Sequence, residues 1–148
     1  MKVFESKAAL AAASLKEGQI VTTKGYTTAG DGGNATYLIK TAAAFGGTPD
    51  GYGDHTLANG NVAVLQHSGS VNVKQFGATG DGVTDDTVAI QAAVDSLSSG
   101  GGLYFPNGVY GVSNTLHIDQ PISILGESAG FEQIFQDAGT LFKGAVIE

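Results

Sequence analysis

The sequence predicts a mainly β protein with short helices, in which a small α/β front domain precedes a capping helix and the opening coils of a solenoid. Three observations predict this. Composition comes first: of 148 residues, 42% are hydrophobic, 23 are glycine and only 14% are charged. That balance favours strands, tight turns and close backbone packing over long solvated helices. Second, Ile90, Ala93, Val94 and Leu97 recur at the i, i+3, i+4, i+7 spacing of one helical stripe, so this helix must cover something apolar. Third, the short runs Leu103-Tyr104-Phe105, Val109-Tyr110-Gly111-Val112 and Pro121-Ile122-Ser123-Ile124-Leu125-Gly126 are punctuated by turns. This density suits coils that bury their inner faces only against their neighbours.

The elements follow in chain order. Ser6 to Leu15 predicts a short helix, with Ser6 as N-cap and alanines with Leu10 and Leu15 supplying propensity and a thin apolar face. Gly18 ends it. Gln19-Ile20-Val21-Thr22-Thr23 reads as a strand, Gly25 to Asn34 as a glycine turn, and Ala35-Thr36-Tyr37-Leu38-Ile39 as the return strand. Phe45 to Asp54, with four glycines and Pro49, predicts an irregular loop, and Val62-Ala63-Val64-Leu65 a further strand after the turn Asn59-Gly60-Asn61. The polar break Gln66-His67-Ser68-Gly69-Ser70 divides the chain into domains 1–67 and 68–148. Val71-Asn72-Val73 then opens the second domain as a strand. Ser98-Ser99-Gly100-Gly101-Gly102 stops the helix, Pro106-Asn107-Gly108 makes a tight turn, and Thr115-Leu116-His117-Ile118 is expected to be another strand.

Charge and cysteine content exclude several classes. All seven cations are lysine, against 14 acidic residues, for a net charge of -7. Phosphate backbones are held by clustered Lys and Arg, so this is a poor nucleic-acid binder. With no cysteine, disulfides, thiolate catalysis and Cys-ligated zinc are excluded. The first fifteen residues lack the basic region and sustained apolar core of a secretory leader, and no run approaches the roughly 20 apolar residues of a membrane span. No membrane insertion is expected.

The run Phe76-Gly77-Ala78-Thr79-Gly80-Asp81-Gly82-Val83-Thr84-Asp85-Asp86-Thr87-Val88-Ala89-Ile90-Gln91 resembles the segment that opens the right-handed parallel β-helix of pectate-lyase-like proteins. Gly101-Gly102-Leu103-Tyr104-Phe105-Pro106-Asn107-Gly108-Val109-Tyr110 is a second match to that family. Ahead of them, Gly18-Gln19-Ile20-Val21, Gly25-Tyr26, Gly30-Asp31-Gly32-Gly33 and Tyr37 are similar to a small module at the front of bacteriophage tailspikes. The resemblance implies a virion-attachment (head-binding) module at 1–67 and the capping helix and first coils of a pectate-lyase-like β-helix at 68–148. It further implies a homotrimer located in the virion tail, a phage virion or tail adaptor as partner, and a longer parent that binds and degrades bacterial surface polysaccharide. An unterminated apolar strand at Leu141 to Glu148 exposes edge and core, so a truncated β-helix is expected.

No catalytic, cofactor or metal residue is assigned. Asp81, Asp85 and Asp86 could pair as catalytic carboxylates or calcium ligands, but Thr84 or Asp85 can instead cap the helix and Asp81 can serve the turn. Gly30-Asp31-Gly32-Gly33 lacks the Lys-Ser or Lys-Thr of a phosphate loop and reads as a strained turn. His55, His67 and His117 stand too far apart for helical metal spacing. His117 and Asp119 would share a strand face, as hydrogen-bonding partners rather than a proton shuttle. Glycoside hydrolysis needs two flanking carboxylates, and Glu127, Glu132, Asp137 and Glu148 are not assigned to that role. Tyr26, Tyr37, Tyr52, Tyr104 and Tyr110 could meet glycan, although strand aromatics more often pack in a core or interface. Two alternatives remain: the chain itself belongs to an active polysaccharide hydrolase or lyase, or it is a non-viral β-helix protein with a carbohydrate-binding or structural role.

Overall fold

A computed structural model describes residues 1–127 and the backbone of 140–144. The chain forms two compact units, Met1–His67 and Ser68–Glu148.

In the first unit, strands β1 (Lys2–Phe4), β2 (Ile20–Thr23), β3 (Ala35–Lys40), β4 (His55–Thr56) and β5 (Val62–Leu65) form one sheet in the order β1-β2-β3-β5-β4. β1 joins β2 in parallel; the other pairings are antiparallel. Alternation sets the faces: Val21, Thr23, Ala35, Tyr37, Ile39 and Leu65 point to a buried side, while Ile20 stands more than half exposed on the other. Helix α1 (Lys7–Ala11) is capped by Ser6, whose hydroxyl accepts the Ala9 N–H, and its Leu10 is fully buried. It is shorter than the expected Ser6–Leu15. Asn59 and Asn61 both donate side-chain N–H groups to the Leu15 carbonyl at 2.8 Å, holding buried Leu15 out of the helical path. A second short helix, α2 (Ala42–Phe45), and the strands β1 and β4 are additions in this unit to the elements expected from sequence.

The second unit is built of coils. β6 (Ser70–Asn72) leads through a 3-10 turn, Val73–Phe76, to β7 (Asp81–Asp85). Helix α3 (Thr87–Ser96) follows, and then β8 (Gly101–Phe105), β9 (Gly108–Val112), β10 (Ile122–Gly126) and β11 (Thr140–Gly144). The strands stack as two parallel three-stranded sheets, β10-β8-β6 and β11-β9-β7. Each coil thus gives one strand to each sheet, which is the parallel β-helix expected from sequence. Its inner faces carry Val71, Leu103, Phe105, Tyr110 and Val112, with the Phe105 and Tyr110 rings edge to face at 5.2 Å.

Helix α3 covers this core as its stripe requires. Ile90 and Ala93 are fully enclosed and Val94 and Leu97 nearly so, with α3 packed against the turn that buries Val73 and Phe76. Full burial of side chains such as Ile90 or Leu97 is worth about 2 kcal/mol each. After α3 the chain doubles back through Gly101 at φ +138°, where an added Cβ would lie 2.1 Å from the Gly69 carbonyl oxygen, so only glycine fits there. The expected strand Thr115–Ile118 is instead a loop with one bridge residue, Leu116. The Gln91 side chain exchanges two hydrogen bonds with the backbone of His117, and Gln120 donates to the Val94 carbonyl, so the loop is fastened to α3 rather than to a strand.

Candidate functional site

The acidic segment between β6 and α3 is where carboxylates concentrate, and each is engaged by the segment's own backbone or by a neighbouring hydroxyl. Asp81 accepts the N–H groups of Val83 and Thr84 and the Thr84 hydroxyl. The Thr84 and Val83 N–H groups hold its pKa down to about 2, the turn role expected for it. Asp85 accepts the Ser113 hydroxyl at 2.5 Å on one oxygen, and the Thr87 hydroxyl at 2.5 Å and N–H at 3.0 Å on the other. These hydrogen bonds, Ser113 foremost, likewise lower it to about 2. Asp85 therefore satisfies the first N–H of α3, as sequence suggested, although the N-cap position itself falls to Asp86.

Asp86 makes no side-chain cap bond. At 1% exposure, its carboxylate turns away from the helix to accept the N–H groups of Thr79 and Gly80 at 2.7 and 3.1 Å, with the Thr79 hydroxyl at 3.2 Å. This role was not read from sequence. The signal was available in the acid placed six and seven residues after a Thr-Gly turn that needs its N–H groups satisfied. Between Asp81, paired with Val109, and Asp85, paired with Gly111, β7 carries extra residues, a bulge that leaves Val83 91% exposed. Among the described residues, no group of three or more His, Asp or Glu is placed to hold a metal ion.

The first unit has a matching carboxylate. Asp31 gathers the N–H groups of Tyr26, Thr27, Thr28 and Gly33 at 2.7 to 3.0 Å. Partial burial works to raise its pKa, but the four N–H groups, Thr28 and Gly33 first among them, outweigh that and hold it low. Gly25 lies inside this turn, where a Cβ would sit 1.8 Å from the Thr28 carbonyl oxygen. The strained-turn reading of Gly30 to Gly33 therefore describes the geometry found.

The histidines and tyrosines separate by burial. His117 is exposed on the loop over α3 and His67 is exposed at the end of the first unit. No strand places His117 beside Asp119, so the expected shared face is absent. His55 lies on β4 at 5% exposure between Tyr26 and Tyr37, with ring centroids 6.0 and 5.7 Å away. Burial, with the Lys7 ammonium nearby, lowers its pKa to about 4. Tyr26, Tyr37 and Tyr110 are buried, which removes them as glycan platforms; Tyr52 and Tyr104 are half-buried. Glu127 accepts the Asn107 N–H at 2.7 Å. Glu132, Asp137 and Glu148 lie outside the described residues.

The coiled second unit is also the part of the chain that a known family matches. The chain belongs to the rhamnogalacturonase A/epimerase, pectate lyase-like family, whose profile matches residues 70–146. Among curated relatives, mannuronan C5-epimerase AlgE1 of Azotobacter vinelandii is 47% identical over 68 residues, covering 40% of this chain and 5% of that protein. A glucan 1,3-beta-glucosidase of Cochliobolus carbonum is 45% identical over 64 residues, covering 43% of this chain and 8% of that protein. The chain thus spans less than a tenth of these relatives. Among solved structures, the tailspike protein gp49 from Acinetobacter baumannii bacteriophage Fri1, a capsular polysaccharide depolymerase, aligns at TM-score 0.75 and 22% identity over 99% of this chain and 29% of its own. The Acinetobacter phage vB_ApiP_P1 tailspike protein aligns at 0.68 and 24% over 97% of this chain and 24% of its own. The likeness is one of fold, and the fold is that of phage tailspikes.

Proposed function

We propose that this chain is the amino-terminal part of a phage tailspike, in which residues 1–67 attach the spike to the virion or a tail adaptor and residues 68–148 start a trimeric β-helix. The full-length parent binds and degrades a bacterial surface polysaccharide, and the catalytic carboxylates lie on coils further along it. One observation carries the reading. The family profile begins at residue 70, whereas the Fri1 tailspike is matched over 99% of this chain, front unit included. The engagement of Asp81, Asp85 and Asp86 in local hydrogen bonds supports a structural rather than catalytic role for the acidic turn.

The test is competition. The purified chain, sized by light scattering, is added to virions stripped of their spikes before full-length spikes are supplied. A trimer that occupies the virions, blocks spike attachment and releases neither reducing ends nor unsaturated sugars from capsular polysaccharide is the expected result. Sugar release by the chain alone would establish the second reading, an active hydrolase or lyase, which the epimerase and glucosidase relatives favour. Failure to occupy the virions would remove the attachment role.

A further inference from the structure

The His55 ring is enclosed and its Nε2 has no hydrogen-bonding partner. A buried polar atom left unpaired is unfavourable and a buried unpaired charge far more so, so the site tolerates a neutral ring at a cost and an imidazolium much less well. The groups around it offer little to a second positive charge. From α1, the Lys7 ammonium sits 4.5 Å from the Tyr26 ring centroid and donates to the Tyr26 hydroxyl at 3.1 Å. From β3 comes Tyr37, whose hydroxyl is likewise buried without a hydrogen-bonding partner and whose pKa burial pushes up to about 12, so it stays neutral. β5 contributes Ala63 opposite His55 and no titratable side chain.

Two carboxylates precede His55 in the chain. Asp50 favours an imidazolium, but one of its oxygens already accepts the N–H groups of Tyr52 and Asp54. Asp54 accepts the Leu65 N–H, and burial raises its pKa, so it turns neutral more readily than an ordinary carboxylate as pH falls. Lys7 also reaches the Gly51 carbonyl at 3.5 Å, and the Tyr26 hydroxyl donates to the same oxygen at 3.4 Å. The ring therefore sits where α1, the Tyr26 turn and the segment 46–54 meet.

We propose that His55 is an acid-sensitive latch in the first unit: taking up a proton there forces the ring out of its enclosure and loosens α1, β4 and the segment 46–54, while the coiled second unit stays closed. The sign follows from linkage. The folded pKa of His55 lies below the ordinary 6.5, so the unfolded unit binds more protons between the two values. Its stabilising contribution is whole above about pH 6.5 and is lost as pH falls toward about 4. In the second unit, Asp81 and Asp85 are held at about 2 from an ordinary 3.8. Their contribution is kept above about 3.8 and lost only as pH falls through about 2. The second unit is thus an internal control. Where the attachment role proposed above holds, the latch would make attachment acid-labile; the latch itself needs no virion to be measured.

The whole chain is followed by mass-spectrometric hydrogen exchange, corrected for intrinsic rates, from about pH 7.5 to about pH 4.5, with nuclear magnetic resonance of the histidine rings alongside. Peptides covering α1 and β4 are expected to lose at least about tenfold in protection, with less than twofold change in α3, and the His55 ring to remain neutral at about pH 5.5. His55→Phe should keep the fold and abolish the acid response. Lys7→Met, which removes the neighbouring charge without altering the ring, should bring the folded pKa of His55 closer to its ordinary value and so shrink the loss of protection at about pH 4.5, and it serves if the first variant does not fold. The proposal is overturned if His55 is already protonated at about pH 5.5 in the closed unit. It is equally overturned if α1 and β4 keep their protection to about pH 4.5, if α3 opens in step with them, or if either variant responds as the parent does.

Discussion

The two units solve the same problem, burying a sheet in a short chain, with different materials. The first unit pairs mostly sequence neighbours in antiparallel register, carries five lysines against five acids, and encloses polar groups in its core. The second stacks strands in parallel, pairing residues 21 or more positions apart in the chain, and carries two lysines against nine acids. Each unit buries two polar residues, Thr23 and His55 in the first and Asp86 and Thr87 in the second, but His55 Nε2 has no partner whereas the Asp86 carboxylate accepts three hydrogen bonds. The comparison teaches where each is vulnerable. Antiparallel neighbours close early and locally, so the first unit fails at its polar inclusions. Parallel coils have no local partner, so the second fails where its lid or its turn is lost.

The sharpest break is at the lid. Ile90→Asp places a carboxylate without a partner in a fully enclosed site, costing about 4 kcal/mol or more. Urea unfolding read by hydrogen exchange should show the second unit open and the first unchanged. A lid that tolerated the change, with equal protection in α3, would mean that its stripe is not what closes the coils.

Next come the two carboxylates that each gather a glycine turn. Asp86→Ala strips the acceptor from the Thr79 and Gly80 N–H groups at a site 1% exposed, and about 3 kcal/mol of stability in the second unit should go with it. Asp31→Ala removes the acceptor of four N–H groups, yet Asp31 is only partly buried and water can replace it. About 1.5 kcal/mol is expected there, confined to the first unit. Denaturation midpoints with the reverse ranking would show that the number of hydrogen bonds, not enclosure, sets the worth of such a carboxylate.

Which parts were legible follows from the same physics. The stripe Ile90-Ala93-Val94-Leu97 was readable because its periodicity is local and its burial agrees with it, and Val62–Leu65 because it is a short, wholly apolar run directly after a turn. The Ser6 cap was readable because its partner, the Ala9 N–H, is three residues on. β1 was not, since Lys2–Phe4 is three residues long and becomes a strand only by parallel pairing with β2, across the whole of α1. β4 was hidden because two residues carry no period, and only the register of His55 with Ala63 makes them a strand. In the site, Asp81 was legible as a turn residue bonded to its neighbours, whereas Asp86 bonds backward to Thr79 and Gly80, against the cap role its helix position suggests.

The loop over α3 gives the smallest effect and the finest test of the comparison. Thr115–Ile118 has β-rich composition, yet it pairs at a single bridge residue, Leu116, and two glutamine side chains from the loop and α3 supply hydrogen bonds that a longer ladder would. Gln91 both accepts the His117 N–H at 2.9 Å and donates to its carbonyl at 3.0 Å. Because the pair is exposed, Gln91→Ala should cost only about 1 kcal/mol. Faster exchange should be confined to residues 115–120, leaving Leu116 seated and α3 protected. If α3 loosened as well, the loop would be part of the lid, and the second unit's closure would depend on polar fastening as the first unit's does.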